Sequence, residues 1–191
     1  FSSSLAVYSF AKLRWPGRDI IFFILLGTMM LPGQVTMIPI FILFKKLGWI
    51  NTFYPLTVPS FFGGGAFNIF LMRQFFLTIP YELDEAARID GASFFKIYTN
   101  IELPLSIPVV TAISIFTFIG SWNEFMGPLI YLNDSSKYTI QLGLRMFQAD
   151  FSADWSALMA MSIVAALPCI VLFFIAQRYF IQGIVLTGLK E

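Results

Sequence analysis

The sequence has no histidine in 191 residues and a single cysteine, Cys169. The first absence removes the commonest general base. The second excludes a disulfide and a cysteine–histidine metal site. Charge is also scarce. Asp, Glu, Lys and Arg make up 12% of the chain, where a soluble domain of this size carries about a quarter. A net charge of +1 offers no basic field for nucleic acid. No GxxxxGKS or GxxxxGKT phosphate loop occurs in the chain, so the common nucleotide cradle is missing. Nothing in this inventory assigns a catalytic residue, a metal or a bound cofactor to the chain.

What remains is apolar. Hydrophobic residues account for 58% of the sequence, with 23 phenylalanines and a mean hydropathy of +0.78. Four runs, 20–44, 56–77, 105–131 and 155–180, are long enough to cross the hydrocarbon of a bilayer, which takes roughly 20 residues. The predicted fold class is therefore all-α: a polytopic transmembrane helix bundle, one domain over residues 1–191. Residues 1–13 open on FSSSLAVYSFA. They have no basic flank of the kind a signal peptide carries. They are expected to be the second half of a membrane helix whose start is missing.

Polar residues inside such spans must face protein or water, because lipid cannot pair them. In 20–44 these are Gln34 and Thr36, beside Pro32, Gly33 and Pro39, which predict a kink. In 56–77 the run Gly63-Gly64-Gly65-Ala66 permits close helix contact or a broken helix, and Asn68 follows it. Near the far end of 105–131 comes Ser121-Trp122-Asn123-Glu124-Phe125, then Gly127-Pro128. A carboxylate at membrane depth is expensive. Glu124 therefore lies at the interface, or faces a partner or an aqueous path. Gln34, Asn68, Asn123 and Glu124 are polar residues within or near the spans. Residues 132–154 are polar, with Lys137, Arg145, Asp150 and Asp154, and the last span is expected to kink at Pro168.

Residues 81–104, YELDEAARIDGASFFKIYTNIELP, carry the densest charge and the most regular pattern. Pro80 suits a helix start. Glu82, Asp84 and Glu85 follow in the first turn, where acid favours the positive end of the helix dipole. Asp84 and Arg88 are spaced for an i, i+4 pair. Leu83, Ala86 and Ala87 are read as one flat face, against which another protein surface can come close. Gly91 marks a turn, and Ser93 can cap a second helix. In that helix Phe94, Ile97, Tyr98 and Ile101 fall at amphipathic spacing. The pattern is helix, glycine elbow, helix, where a solvated loop would need no such order.

Glu85-Ala86-Ala87, then Gly91, Ile101 and Leu103-Pro104, resembles the EAA loop of binding-protein-dependent ABC importer permeases, at that family's spacing throughout. Three further pieces resemble its carbohydrate, maltose-type branch: Pro59-Ser60-Phe61-Phe62-Gly63-Gly64, Ser121–Phe125 with Pro128-Leu129, and Ala176-Gln177-Arg178-Tyr179-Phe180 with Gly183. The resemblance implies the MetI-like permease fold with its N-terminal helix missing. It implies that 80–103 is a cytoplasmic coupling loop and 181–191 a cytoplasmic tail. Leu83, Glu85, Ala86, Ala87, Asp90 and Gly91 would dock an ATPase subunit. Under the resemblance Gln34, Asn68, Asn123 and Glu124 become the candidate pathway residues, and Trp122 could stack on a sugar ring. The implied partners are a second, homologous permease, two ABC ATPase subunits that carry ATP and magnesium, an extracytoplasmic solute-binding protein, a sugar and the lipid bilayer of a bacterial or archaeal cell (inner) membrane. No cofactor is implied on this chain itself. Two departures stand out: Glu124 where the branch often has aspartate, and a tail, Leu186–Glu191, poorer in glycine than in relatives.

With the loop on the cytoplasmic side, that side holds Lys12, Arg14, Arg18, Arg73, Arg88, Lys96, Arg178 and Lys190. The other side holds Lys45, Lys46, Lys137 and Arg145. The excess follows the positive-inside rule. Importers of polyamines, glycerol phosphate, phosphate or amino acids are the alternatives within the class. A passive channel or scaffold subunit is the alternative outside it.

Overall fold

The computed structural model describes residues 1–149, 152–153 and 155–187. The helices in chain order are α1 (Ser2–Ala11), α2 (Arg18–Thr28), α3 (Gly33–Lys46), α4 (Tyr54–Thr57), α5 (Ala66–Phe76), α6 (Tyr81–Ile89), α7 (Phe94–Ile97), α8 (Leu103–Leu105), α9 (Ile107–Trp122), α10 (Met126–Tyr131), α11 (Ile140–Arg145) and α12 (Trp155–Thr187). A wide π-type turn, Tyr98–Glu102, joins α7 to α8. Two short strands, β1 (Gln148–Ala149) and β2 (Ser152–Ala153), pair antiparallel before α12. Asp150, Asp154 and tail residues 188–191 lie outside the described residues.

The chain divides into two compact units. Unit 1 holds Phe1–Thr36 and Pro59–Ile113; unit 2 holds Met37–Val58 and Ser114–Glu191. The boundaries fall inside α3, just after α4, and inside α9. Among the described residues, two stretches are long and apolar enough to cross a membrane alone, Tyr54–Phe76 and Trp155–Ile175. Two more qualify only as bent pairs. One is α2 with α3, bent by 98°; the other is Phe94–Leu105 with α9, bent by 76°.

The 98° bend corrects the expected span over 20–44, which is broken rather than kinked. Its cause is local. After α2 the backbone tightens into i→i−3 bonds from Met29, Met30 and Leu31 to Leu26, Gly27 and Thr28. Pro32 then lacks the N–H that would resume the ladder. The expected span over 105–131 is also interrupted. At one end Ser106 turns back, its amide and its Oγ both donating to the Glu102 carbonyl. At the other, α9 stops at Trp122 and α10 restarts at Met126.

Unit 1 is built on α1 against α5. Val7 and Phe76 are wholly buried between Tyr8, Phe10, Ile69 and Met72, with Ile97, Tyr98, Val109 and Ile113 completing the core. Burying a side chain of this kind is worth about 1.5–3 kcal/mol against water. The α1 helix comes close enough for Ser3 Oγ to donate to the Gly63 carbonyl at 2.8 Å. A side chain at Gly64 (φ +64°) would run into that same Ser3 hydroxyl. The glycine run is thus a non-helical crossing point for α1, and α5 begins only after it.

Unit 2 is held by polar ties as well as rings. Phe44 packs on Trp49 and, edge-on, on Tyr131. Asn51, at φ +62°, donates its amide to the Tyr131 carbonyl at 2.7 Å. Its side-chain oxygen accepts from the amides of Asn133 and Asp134. The Trp122 indole donates to the Ala165 carbonyl at 2.9 Å, tying α9 to α12. Along α12, Ile163, Ile170, Phe173 and Phe174 are all exposed, the surface a lipid-facing helix presents.

Candidate functional site

The stretch after Pro80 folds as two short helices at an angle set by one glycine. Pro80 precedes the first turn of α6, where Glu82 and Asp84 sit. At the other end Gly91 takes φ +79°. Its amide bonds to the Arg88 carbonyl, and the Ala92 amide reaches back to Ala87 at 2.9 Å. These are the two bonds of a Schellman cap, which needs a left-handed residue at this position. Ser93 then caps α7, its hydroxyl accepting from the Lys96 amide.

The two faces of α6 differ completely. Glu82, Leu83, Glu85, Ala86, Ile89, Asp90 and Gly91 are exposed, Ile89 to 87%. Asp84 is only 3% exposed and points inward. Ala87 departs from its expected place: it is half-buried and packs against the core of unit 1, so the open face keeps Leu83 and Ala86 but loses Ala87. The expected Asp84–Arg88 pair does not form. Asp84 turns toward Lys12, and the Arg88 guanidinium lies 5.0 Å from the centre of the Phe94 ring. Arg88 is exposed, so water solvates it, whereas a buried carboxylate needs a buried cation. In α7 and the following turn, Ile97 and Tyr98 are buried as the spacing predicts, and Phe94 stays half exposed beneath Arg88.

Behind α6 lies a feature the sequence did not announce. The Lys12 ammonium is buried 2.8 Å from Glu102 Oε1 and 3.9 Å from Asp84 Oδ2, and it donates to the Ile79 carbonyl at 2.9 Å. Glu102 is wholly inaccessible. Asp84 Oδ1 and Glu102 Oε2 have no hydrogen-bond donor among the described residues. Close by, Tyr98 OH meets Ser4 Oγ at 2.7 Å. The available signal was Glu102 itself, a lone carboxylate between Ile101 and Leu103-Pro104, where a solvated loop would have no apolar neighbours.

Two of the four candidate pathway residues fall in each unit. Gln34 and Asn68 belong to unit 1, Asn123 and Glu124 to unit 2. Gln34 is exposed in the first turn of α3. Asn68 is half-buried, its amide donating to the Gly64 carbonyl at 2.7 Å. Asn123 donates to the Ile119 carbonyl and accepts from Gln141 Nε2 at 3.2 Å. Glu124 Oε1 accepts from the Gly127 amide at 2.9 Å, closing the first turn of α10. One face of the Trp122 ring is stacked on Phe118, so Trp122 serves packing as well as the tie to Ala165. No group of acidic, histidine or cysteine residues suited to a metal occurs among the described residues.

Comparison with known proteins gives a consistent answer. The model of the family described as "Binding-protein-dependent transport system inner membrane component" matches residues 2–185. Similar relatives include the probable ABC transporter permease protein YurM of Bacillus subtilis, 35% identical over all of this chain and 63% of its own length. The arabinooligosaccharides transport system permease protein AraQ of Halalkalibacterium halodurans is 35% identical over 98% of the chain and 67% of its own. The sn-glycerol-3-phosphate transport system permease protein UgpE of Brucella abortus is 40% identical over 97% and 66%. The chain thus spans about two thirds of the length of these curated relatives. Among solved structures, a bacterial ABC transporter involved in the import of the acidic polysaccharide alginate superimposes with a TM-score of 0.80. It is 27% identical and covers 93% of this chain and 67% of its own.

Proposed function

The chain belongs to the family of binding-protein-dependent transport system inner membrane components, and from that premise we propose that it is the membrane-spanning permease subunit of an ATP-driven sugar importer. The observation that carries the reading is the open outer face of α6. Leu83, Glu85, Ala86, Asp90 and Gly91 are exposed together on a helix whose end is fixed by a Schellman turn. A folded helix with exposed Leu83 and Ile89 beside acids suits a cleft on a second protein. In this reading the face docks a cytoplasmic ABC ATPase subunit. The loop 80–103 and the C-terminus are cytoplasmic. ATP and magnesium are held by two such subunits, and hydrolysis occurs there. A second, homologous permease completes the pathway, and an extracytoplasmic binding protein delivers the sugar. Closure of the ATPase pair moves the docking helices as rigid bodies and opens the pathway outward; hydrolysis reverses it.

Sugars are recognised through hydrogen bonds, and Gln34, Asn68, Asn123 and Glu124 are the residues proposed to offer them along the pathway. The arabinooligosaccharide relative supports a sugar as the cargo. The sn-glycerol-3-phosphate relatives, at up to 40% identity, favour a second reading in which the solute is a phosphorylated polyol. The test is affinity purification of the full-length permease from native membranes. A second permease and an ATP-binding subunit should accompany it, and the binding protein that follows is then titrated with sugars and with glycerol phosphate. A lone permease, stable without any ATP-binding subunit, would overturn the importer reading in favour of a channel or scaffold.

A further inference from the structure

The inner face of α6 has little apolar grip. Leu83 and Ile89 point outward, and the half-buried Ala87 offers one methyl group. Behind the helix, Tyr81 lies under the Arg14 guanidinium at 5.6 Å, and the approach of Asp84 to Lys12 is the only ion pair of α6 among the described residues. The Lys12 ammonium meets three places at once. It donates to the Ile79 carbonyl just before α6 at 2.9 Å and pairs with Glu102 at the end of the π-type turn at 2.8 Å, while Asp84 in the first turn of α6 stands 3.9 Å away, an ion pair without a hydrogen bond. Glu102 is in turn bonded through its carbonyl to Ser106, the residue before α9. Lys12 itself caps the end of α1, its amide bonded to the Tyr8 carbonyl. One buried cation therefore touches the docking helix, the helix packed on α5, and the segment entering α9.

Buried ion pairs are a poor source of stability compared with apolar residues of the same volume, and breaking one partner is costly. Their distinctive property is directionality. An apolar contact lets a short helix slide or rotate, whereas one ammonium bonded to the Ile79 carbonyl and to Glu102, with the buried Asp84 charge drawn to it at 3.9 Å, restricts its position. We propose that Lys12 is a positioning residue that fastens the docking helix to α1 and to the entry of α9, so that a displacement of α6 is passed to both as one body. This rests on the docking role given to the outer face of α6.

The test uses the full-length permease assembled with its partner subunits. Three variants are compared with the parent: Asp84→Asn, Lys12→Met, and the apolar triple variant Lys12→Met, Asp84→Leu, Glu102→Leu. For each, membrane abundance, thermal unfolding, retained ATP-binding subunit, ATP hydrolysis and solute moved per ATP are measured. The expected result is that assembled complexes still hydrolyse ATP while solute moved per ATP falls about tenfold, within the range of ordinary coupling energies. The triple variant decides between coupling and mere stability, since it should unfold at the parent's temperature or above and still transport poorly. Full transport per ATP in that variant would overturn the relay. Failure of the docking reading is seen separately: a parallel Glu85→Lys variant would keep its ATP-binding subunit.

Discussion

The loop of unit 1 and the Trp122–Glu124 segment of unit 2 both place polar residues beside apolar helices, yet they use them in opposite ways. In the loop the polar groups are sorted by face. Asp84 is turned in to Lys12, while Glu85 and Asp90 are left open. In the other segment the exposed groups are turned on their own backbone, Asn123 to Ile119 and Glu124 to Gly127. The first arrangement leaves a surface with unmet bonding capacity, which suits a permanent partner. The second leaves side chains already satisfied, which suits passing contact with a solute that must also leave. That contrast is a claim about function, and graded substitutions can break it.

The largest effect should come from Gly91→Pro. Proline is fixed near φ −65° and cannot adopt +79°, and it also removes the amide that bonds to Arg88. A penalty of about 3 kcal/mol or more is expected, enough to depopulate the elbow about a hundredfold. Uptake should be lost while the protein still accumulates in the membrane. Normal uptake would separate the elbow from coupling and remove the distinction between the two regions.

Next is Glu85→Lys, which reverses charge on the open face without touching the buried cluster. Retention of the ATP-binding subunit on purification should fall about tenfold, as for a reversed charge within an electrostatically matched interface. The effect should weaken at high salt. Unchanged retention would mean that the outer face is not the docked one.

These residues also mark how far the sequence could be read. The elbow was legible because glycine, a capping serine and amphipathic spacing each have a local cause. The resemblance of Glu85-Ala86-Ala87 and Gly91 to the EAA loop is what singles out this stretch as the candidate site. The side toward which each residue turns was less legible. Ala87 and Asp84 face inward because Lys12 and Glu102, some 72 and 18 positions away from Asp84 in sequence, meet there, and no periodicity within 81–104 carries that information. The broken span at Pro32 was foreseen only as a kink, since proline signals an interruption but not its angle. Asn123 and Glu124 stood out as polar residues near a span end. Their backbone partners depend on α9 stopping at Trp122, which the continuous apolar run conceals.

The smallest effect is expected from Asn123→Ala. Its amide group now holds the Ile119 carbonyl and accepts from Gln141, so solute must compete with bonds that already exist. A net hydrogen bond of this kind is worth about 1 kcal/mol. The solute concentration for half-maximal uptake should therefore rise about fivefold, with the ATP-binding subunit fully retained. Glu124→Gln keeps an oxygen to accept from the Gly127 amide, so it should leave α10 intact and report only on the lost charge. If Asn123→Ala changes nothing while Glu124→Gln shifts half-saturation, the pathway side of this segment is the carboxylate, and Asn123 belongs to packing. If Asn123→Ala instead costs as much as Glu85→Lys, the segment is not a place of passing contact at all, and the contrast drawn between the two regions fails on the side of unit 2.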